Sequence, residues 1–261
     1  MKKILTLVLL SWSLFTVNAA DLTDANTIIN QANLASYYAG DDGRAQARMK
    51  IVDSQGNQQV RQFTILRKDN DNQLDQDMLV FFSRPSDVKG TVFRVAKKPK
   101  TDDDRWLYLP ALDLVKRISA GDKRTSFVGS HFFYEDVSGR NPKEDTFTLT
   151  STDDEFYHIK GQPKDANSVE FAYYQATIRK TSFLPMEVLY FDQQDKPIRQ
   201  MQVLKTKDIN GITTVMHSKI TRFDDNSYTE MQFRKVKYNN DLPQDIFSER
   251  SLRTPPKTWL K

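Results

Sequence analysis

The chain has 261 residues, with 38 lysines and arginines, 34 aspartates and glutamates, three histidines and no cysteine. Lacking cysteine, it cannot use thiolate catalysis, cysteine–zinc sites or disulfides. The charge is close to balance and no basic run dominates the sequence, so nucleic-acid recognition is not expected.

Residues 1–19 are expected to be a cleaved signal. Lys2 and Lys3 give a positive start, and Ile4 to Leu10 is apolar apart from Thr6. Trp12, Leu14 and Phe15 extend the run, and Val17-Asn18-Ala19 places small residues where a signal peptidase reads. The run is shorter than the ~20 apolar residues that span a bilayer. The cut is expected after Ala19 or Ala20. No cysteine follows it, so no lipid anchor is expected on the mature protein. Losing Lys2 and Lys3 lowers the formal charge from +4 to +2. Residues 20–261 show no tandem repeat and no low-complexity linker, and are expected to form one domain.

Thr23 or Asp24 can cap a helix whose stripe is Ala25, Ile28, Ile29, Ala32 and Ala35, with Gly40 as its stop. Period-two alternation then predicts strands over 46–52 and 60–67, joined by the turn Ser54-Gln55-Gly56-Asn57. Residues 78–82 are continuously apolar, and further strands are predicted over 90–96 and 105–109. Ser130 is expected to cap a short helix running to Val137. Strands are predicted again over 146–150, 157–161, 170–179, 186–192, 198–206, 213–223 and 227–238. Meandering strands with tight turns imply a mainly β fold, a single large curved antiparallel sheet of roughly 11 strands. One N-terminal helix and a few short segments are thin cover for so large an apolar face, which is the first indication of a cavity.

No catalytic constellation emerges. There are three histidines, His131, His158 and His217; His131 and Glu135 are four apart and could share a helical face, but two ligands do not make a zinc site. Asp102-Asp103-Asp104 lacks the spaced ligands of a calcium loop. Phosphate-loop and nucleophile-elbow patterns are absent. No cofactor, metal or catalytic residue is expected, and the protein is not expected to be an enzyme.

Three blocks stand apart: Trp106-Leu-Tyr-Leu-Pro110, the step Lys116-Arg117-Ile118, and Phe127-x-Gly-Ser-x-Phe-x-Tyr-Glu-Asp136. With the closing Leu242-Pro243-x-x-Ile246-Phe247, they resemble the outer-membrane lipoprotein-sorting-like proteins, relatives of the LolA and LolB carriers, over essentially the whole mature chain. His131 stands where that family often has aspartate. The resemblance implies a half-open β-barrel with helices plugging its concave face. It implies a periplasmic carrier for a lipid or lipoprotein acyl chain, associated with an inner-membrane RND/MMPL-type exporter. An accessory subunit of such an exporter that carries nothing is the alternative.

On this reading the candidate cavity residues are Met49, Ile51, Phe63, Ile65, Trp106, Tyr108, Met186, Val188, Met201, Val203, Met231 and Phe233. Phe132 and Phe133 are expected to come from a lid over residues 130–139. Arg199, Gln202, Gln232 and Arg234 are assigned to the solvated side, Arg199 against its parity with Met201. Lys97, Lys98, Lys116 and Arg117 are candidates for docking headgroups or an acidic partner. Lys123 and Arg124 read as solvated loop residues.

Overall fold

The structure is a computed structural model that describes residues 21–70, 75–98 and 100–260. The expected signal at residues 1–19 lies outside the described residues. Helix α1 (Ala25–Tyr37) is followed by strands β1 (Asp42–Val52), β2 (Gln58–Asp69), β3 (Gln76–Arg84), β4 (Val92–Lys97), β5 (Asp104–Leu109) and β6 (Leu114–Ile118). A strap, residues 119–144, carries the short helix α2 (Tyr134–Ser138). Then come β7 (Asp145–Thr152), β8 (Phe156–Pro163), β9 (Tyr173–Arg179), β10 (Pro185–Phe191), β11 (Pro197–Ile209), β12 (Ile212–Arg222) and β13 (Tyr228–Tyr238), with helix α3 (Arg250–Arg253) near the end.

All thirteen strands form one antiparallel sheet in the order β6-β5-β4-β3-β2-β1-β13-β12-β11-β10-β9-β8-β7. Two meanders therefore meet where β1 pairs with β13. The two edges, β6 and β7, do not pair, so the sheet curls without closing. The strap joins one edge to the other and has to cross the concave face to do so. Thirteen strands stand against the roughly 11 expected, and the strand outside every predicted span is β6. Its residues are mostly exposed and show no alternation, so the pattern that reveals a half-buried strand is missing there.

Local chemistry explains the ends of these elements. The Asp24 carboxylate accepts the N–H of Thr27 at 2.9 Å and caps α1. Asn210 and Gly211 both have positive φ, 53° and 82°, as a two-residue hairpin between right-twisted strands requires. In β8, a Cβ on Gly161 would lie 2.3 Å from the ring of Tyr174; the missing side chain leaves room for that ring across the ladder.

Three apolar clusters fix the layers. On the concave face, Met49, Phe63, Met78, Val80, Phe82, Phe93, Ile220 and Met231 pack beneath Phe127, Phe132 and Tyr134 of the strap. Further along the same face, Ile28 and Ala32 of α1 pack on Tyr157, Ile159, Ala176, Ile178 and Val188. On the convex face, Leu66, Leu79 and Val92 are covered by Leu242, Ile246, Phe247 and Leu252 of the C-terminal segment.

Candidate functional site

Between α1, the strap and the centre of the sheet lies a cavity of about 300 Å³. Its deep end is formed by Phe63, Met78, Phe132, Met231 and Ser218, all buried. Its outer rim carries Ser36 near the end of α1, Val203 and Val215 on the β11–β12 hairpin, and Val236 on β13, which all keep some exposure. The volume falls at the lower end of the range for small-molecule pockets, and such pockets are likewise mainly apolar with a few polar groups.

Of the candidate cavity residues, Phe63, Ile65, Phe132, Met201, Val203, Met231 and Phe233 line this space. Met49 and Ile51 are on the same face but lie in the filled core beside it. Val188 packs in the α1 cluster, and Met186 is half-buried at a β-bulge between Pro185 and Glu187. Trp106 and Tyr108 are elsewhere: they stand on the convex face, packed with the C-terminal cluster, and Arg94 stacks on the Trp106 ring at 4.6 Å. Strand parity permits either face there, and the C-terminal cover decides it. Phe133 does not line the cavity; its ring is stacked by Arg124 at 4.9 Å and Arg199 at 4.4 Å.

The lid differs from expectation in form. The helix spans Tyr134–Ser138 rather than starting after Ser130. Residues 127–129 form a separate 3-10 turn, and a β-bridge ties Ser126 to Phe133. These turn interactions hold the backbone that would have been the first helical turn. The Asp136 carboxylate accepts the Phe133 N–H at 2.6 Å and caps the shorter helix.

The strap is also held by buried charge. Glu135 is 2% exposed and receives Lys123 at 3.3 Å, Arg140 at 3.1 Å and Arg124. Arg140 forks onto Asp145, at 2.7 and 2.8 Å, and the Tyr174 hydroxyl donates to the same carboxylate at 2.9 Å. Arg124 also pairs with Glu170 at 2.6 Å. Burial alone would raise the Glu135 pKa, but Arg140, Arg124 and Lys123 outweigh it and hold the carboxyl below its usual range. Lys123 and Arg124 are therefore interior ligands of this network and not solvated loop residues.

Arg199 is corrected in the same way. It sits on the concave face, 4% exposed, bonded to Asp136 and to the His131 carbonyl, while its Nε and Nη1 find no partner. Parity with Met201 was the signal that pointed inward, and the ion pair is what lets arginine follow it. Asp136 lines the cavity, so the pair forms a polar patch in its wall.

Lys97, a candidate for docking, is 7% exposed and donates to the Ser138 carbonyl at 2.6 Å under the rings of Tyr37 and Tyr38. Burial chiefly, with Arg105 adding to it, pushes its pKa down to about 8. Lys98 and Arg117 both pair with Asp104, and Lys116 is exposed. His131 contacts Thr229 through Nδ1 at 2.7 Å, whereas Glu135 faces cations, so the two share no ligand space. Among the described residues no three histidine, aspartate or glutamate side chains come together to hold a metal.

The same architecture recurs in solved structures. A DUF1329 family protein from Desulfovibrio piger is 26% identical with a TM-score of 0.78, covering 87% of this chain and 97% of that one. A family model described as "Uncharacterized protein" matches residues 74–254, more than half of the chain. The chain belongs to the family of that model, and its fold is LolA-like. An outer membrane lipoprotein-sorting protein domain from Vibrio parahaemolyticus has the same fold, with 22% identity and a TM-score of 0.79 over 88% of this chain and 98% of that chain. A LolA superfamily protein from Nitrosomonas europaea is 16% identical with a TM-score of 0.66, over 88% and 99%. No curated protein matches the sequence. The LolA-like half-barrel is thus shared by proteins with few residues in common, and the cavity's own side chains carry the functional reading.

Proposed function

We propose that this protein is a non-enzymatic periplasmic carrier that takes a lipid or lipoprotein acyl chain into the cavity under the strap. The observation that carries this reading is the apolar space itself. A sheet of this size could have closed over a filled core, and instead Phe63, Met201, Met231 and Phe233 border a void. An empty apolar space forfeits dispersion contacts on one side, a cost that a bound acyl chain removes. Support also comes from the lipoprotein-sorting relative of the same fold. A signal cleaved after Ala19, a single mature domain over 20–261, and loading by an inner-membrane RND/MMPL-type exporter belong to the same proposal.

Protein purified from its native, membrane-containing host should carry lipid. Native mass spectrometry followed by lipid extraction checks this, and a protein that is empty after gentle isolation would refute the carrier reading. The variant Phe233→Ala sharpens the test. Phe233 is half-buried at the cavity wall, so its truncation should cost below about 2 kcal/mol in urea unfolding, against the ~3–5 kcal/mol of a filled-core phenylalanine. Titration with a fluorescent fatty acid should weaken by about 1–3 kcal/mol. A large stability loss with unchanged binding would make Phe233 a core residue.

A further inference from the structure

The C-terminal segment covers the convex face only over β2 to β5. The neighbouring strands β1, β13 and β12 leave their backs open. Ala47, Met49 and Ile51 of β1 and Met231 of β13 point into the concave core, so the alternate residues Arg44, Gln46, Arg48 and Lys50, and Glu230, Gln232 and Arg234, share the convex face; beyond a bulge in β13 after Arg234, where Val236 and Tyr238 turn to the cavity, Lys237 joins them. The register sets them side by side: Arg44 opposite Lys237, Gln46 opposite Arg234, Arg48 opposite Gln232, Lys50 opposite Glu230. Lys219 of β12 faces Glu230 from the other side.

This bare face thus collects six cations against one carboxylate, Glu230, in a chain whose charge is otherwise near balance. Among the described residues, Arg44, Arg48, Arg234 and Lys237 have no hydrogen-bond or ion-pair partner for their side chains. Arg44 directly opposite Lys237 is a like-charge pair, which weakens a ladder rather than supporting it. Folding therefore gives no reason for this arrangement. At one end the stripe reaches the cavity, because Arg44 itself borders it together with the neighbouring Gly43 and Tyr238.

We infer that the back of β1, β13 and β12 is a docking surface for an anionic lipid bilayer. A protein partner of ordinary kind would need an apolar or aromatic centre to its contact. Between these cations lie Gln46, Gln232 and His217, which contacts Glu230 at 3.3 Å, while the Tyr228 ring sits under Lys219 at the end of the stripe and leaves its centre polar. A surface of uncompensated cations without an apolar centre matches a plane of lipid phosphates, where each lysine or arginine contributes independently. Docked in this way, the molecule holds one end of the cavity next to the bilayer. The inference does not depend on what the cavity carries.

The test is flotation of the mature protein with vesicles of phosphatidylcholine alone or with about 30% phosphatidylglycerol. Wild-type protein should float with the anionic vesicles only and be released as salt rises from about 50 mM to about 500 mM. The triple variant Arg48→Gln, Arg234→Gln, Lys237→Gln should lower partitioning about a hundredfold. Its thermal midpoint and its fatty-acid titration in solution should stay at wild-type values, which separates loss of docking from loss of fold or of cargo binding. Wild-type protein that ignores anionic vesicles, or a triple variant that floats as well as wild type, overturns the inference. In the first case an acidic protein surface becomes the occupant to seek. A failure of the fatty-acid titration alone would count against the carrier reading and leave this surface standing.

Discussion

Lys97 shows how a side chain that reads as solvated can end in the interior. It is the last residue of β4, and its stem carries the ammonium to the carbonyl at the end of α2, where the helix dipole favours a cation. The interior lowers its pKa from 10.5 to about 8. Below about pH 8 the group is charged in folded and unfolded states alike and its burial penalty is constant. Between about pH 8 and 10.5 the unfolded chain binds more protons, so stability should rise with pH there, by about 3 kcal/mol in total. Urea unfolding across that window should show the rise in wild-type protein and lose it in Lys97→Met. Equal slopes in both would mean that Lys97 is solvated after all.

At the scale of elements, the strap is the part that decides access to the cavity. Its apolar residues are pressed into the sheet, but ionic contacts fix its position: Arg140 on Asp145, Arg124 on Glu170 and Asp136 on Arg199. Removing one member of a buried pair strands the other charge, at roughly 3–5 kcal/mol. Asp136→Asn should therefore raise hydrogen exchange over residues 123–140 more than over β1 and β2, because local opening relieves the stranded Arg199. The double variant Asp136→Asn, Arg199→Met should lose less stability than the two single variants added together. Additive losses would show that the two side chains act separately.

At the scale of the molecule, the network around Glu135 ties the strap to the second meander. Lys123, Arg124, Glu135 and Arg140 belong to the strap, whereas Asp145 and Tyr174 belong to β7 and β9. The Glu135 carboxyl is held below its usual value of 4.5. A carboxylate depressed in this way contributes stability that is fully present above the unfolded value and is lost as pH falls through the folded one. Glu135→Gln should be markedly less stable than wild type at pH ~7, and the gap should close on acidification below the ordinary glutamate range. Thermal unfolding of both proteins over that range checks this; a gap independent of pH would remove the charge from the explanation.

Much of this fold follows from local rules. Alternation along β1, β2, β11 and β13 needs only the period of a strand and one wet face, and the Asp24 cap and the Asn210-Gly211 turn need only their own backbone. The inward set Phe63, Met201, Met231 and Phe233 was legible for that reason. Parity tells which residues share a face, but not what lies across from them. The C-terminal segment put Trp106 and Tyr108 on the covered back, the strap's carboxylates drew Arg124 and Arg199 inside, and its Ser138 carbonyl drew in Lys97. The basic stripe is likewise invisible in the sequence: Arg44 and Lys237 lie 193 positions apart and meet only because β1 pairs with β13. Period and capping are properties of neighbouring residues, so the sequence alone determines them. The partners of a buried charge, the cover of a sheet face and the sum of charges on a surface come from distant segments brought together, so only the tertiary structure decides them.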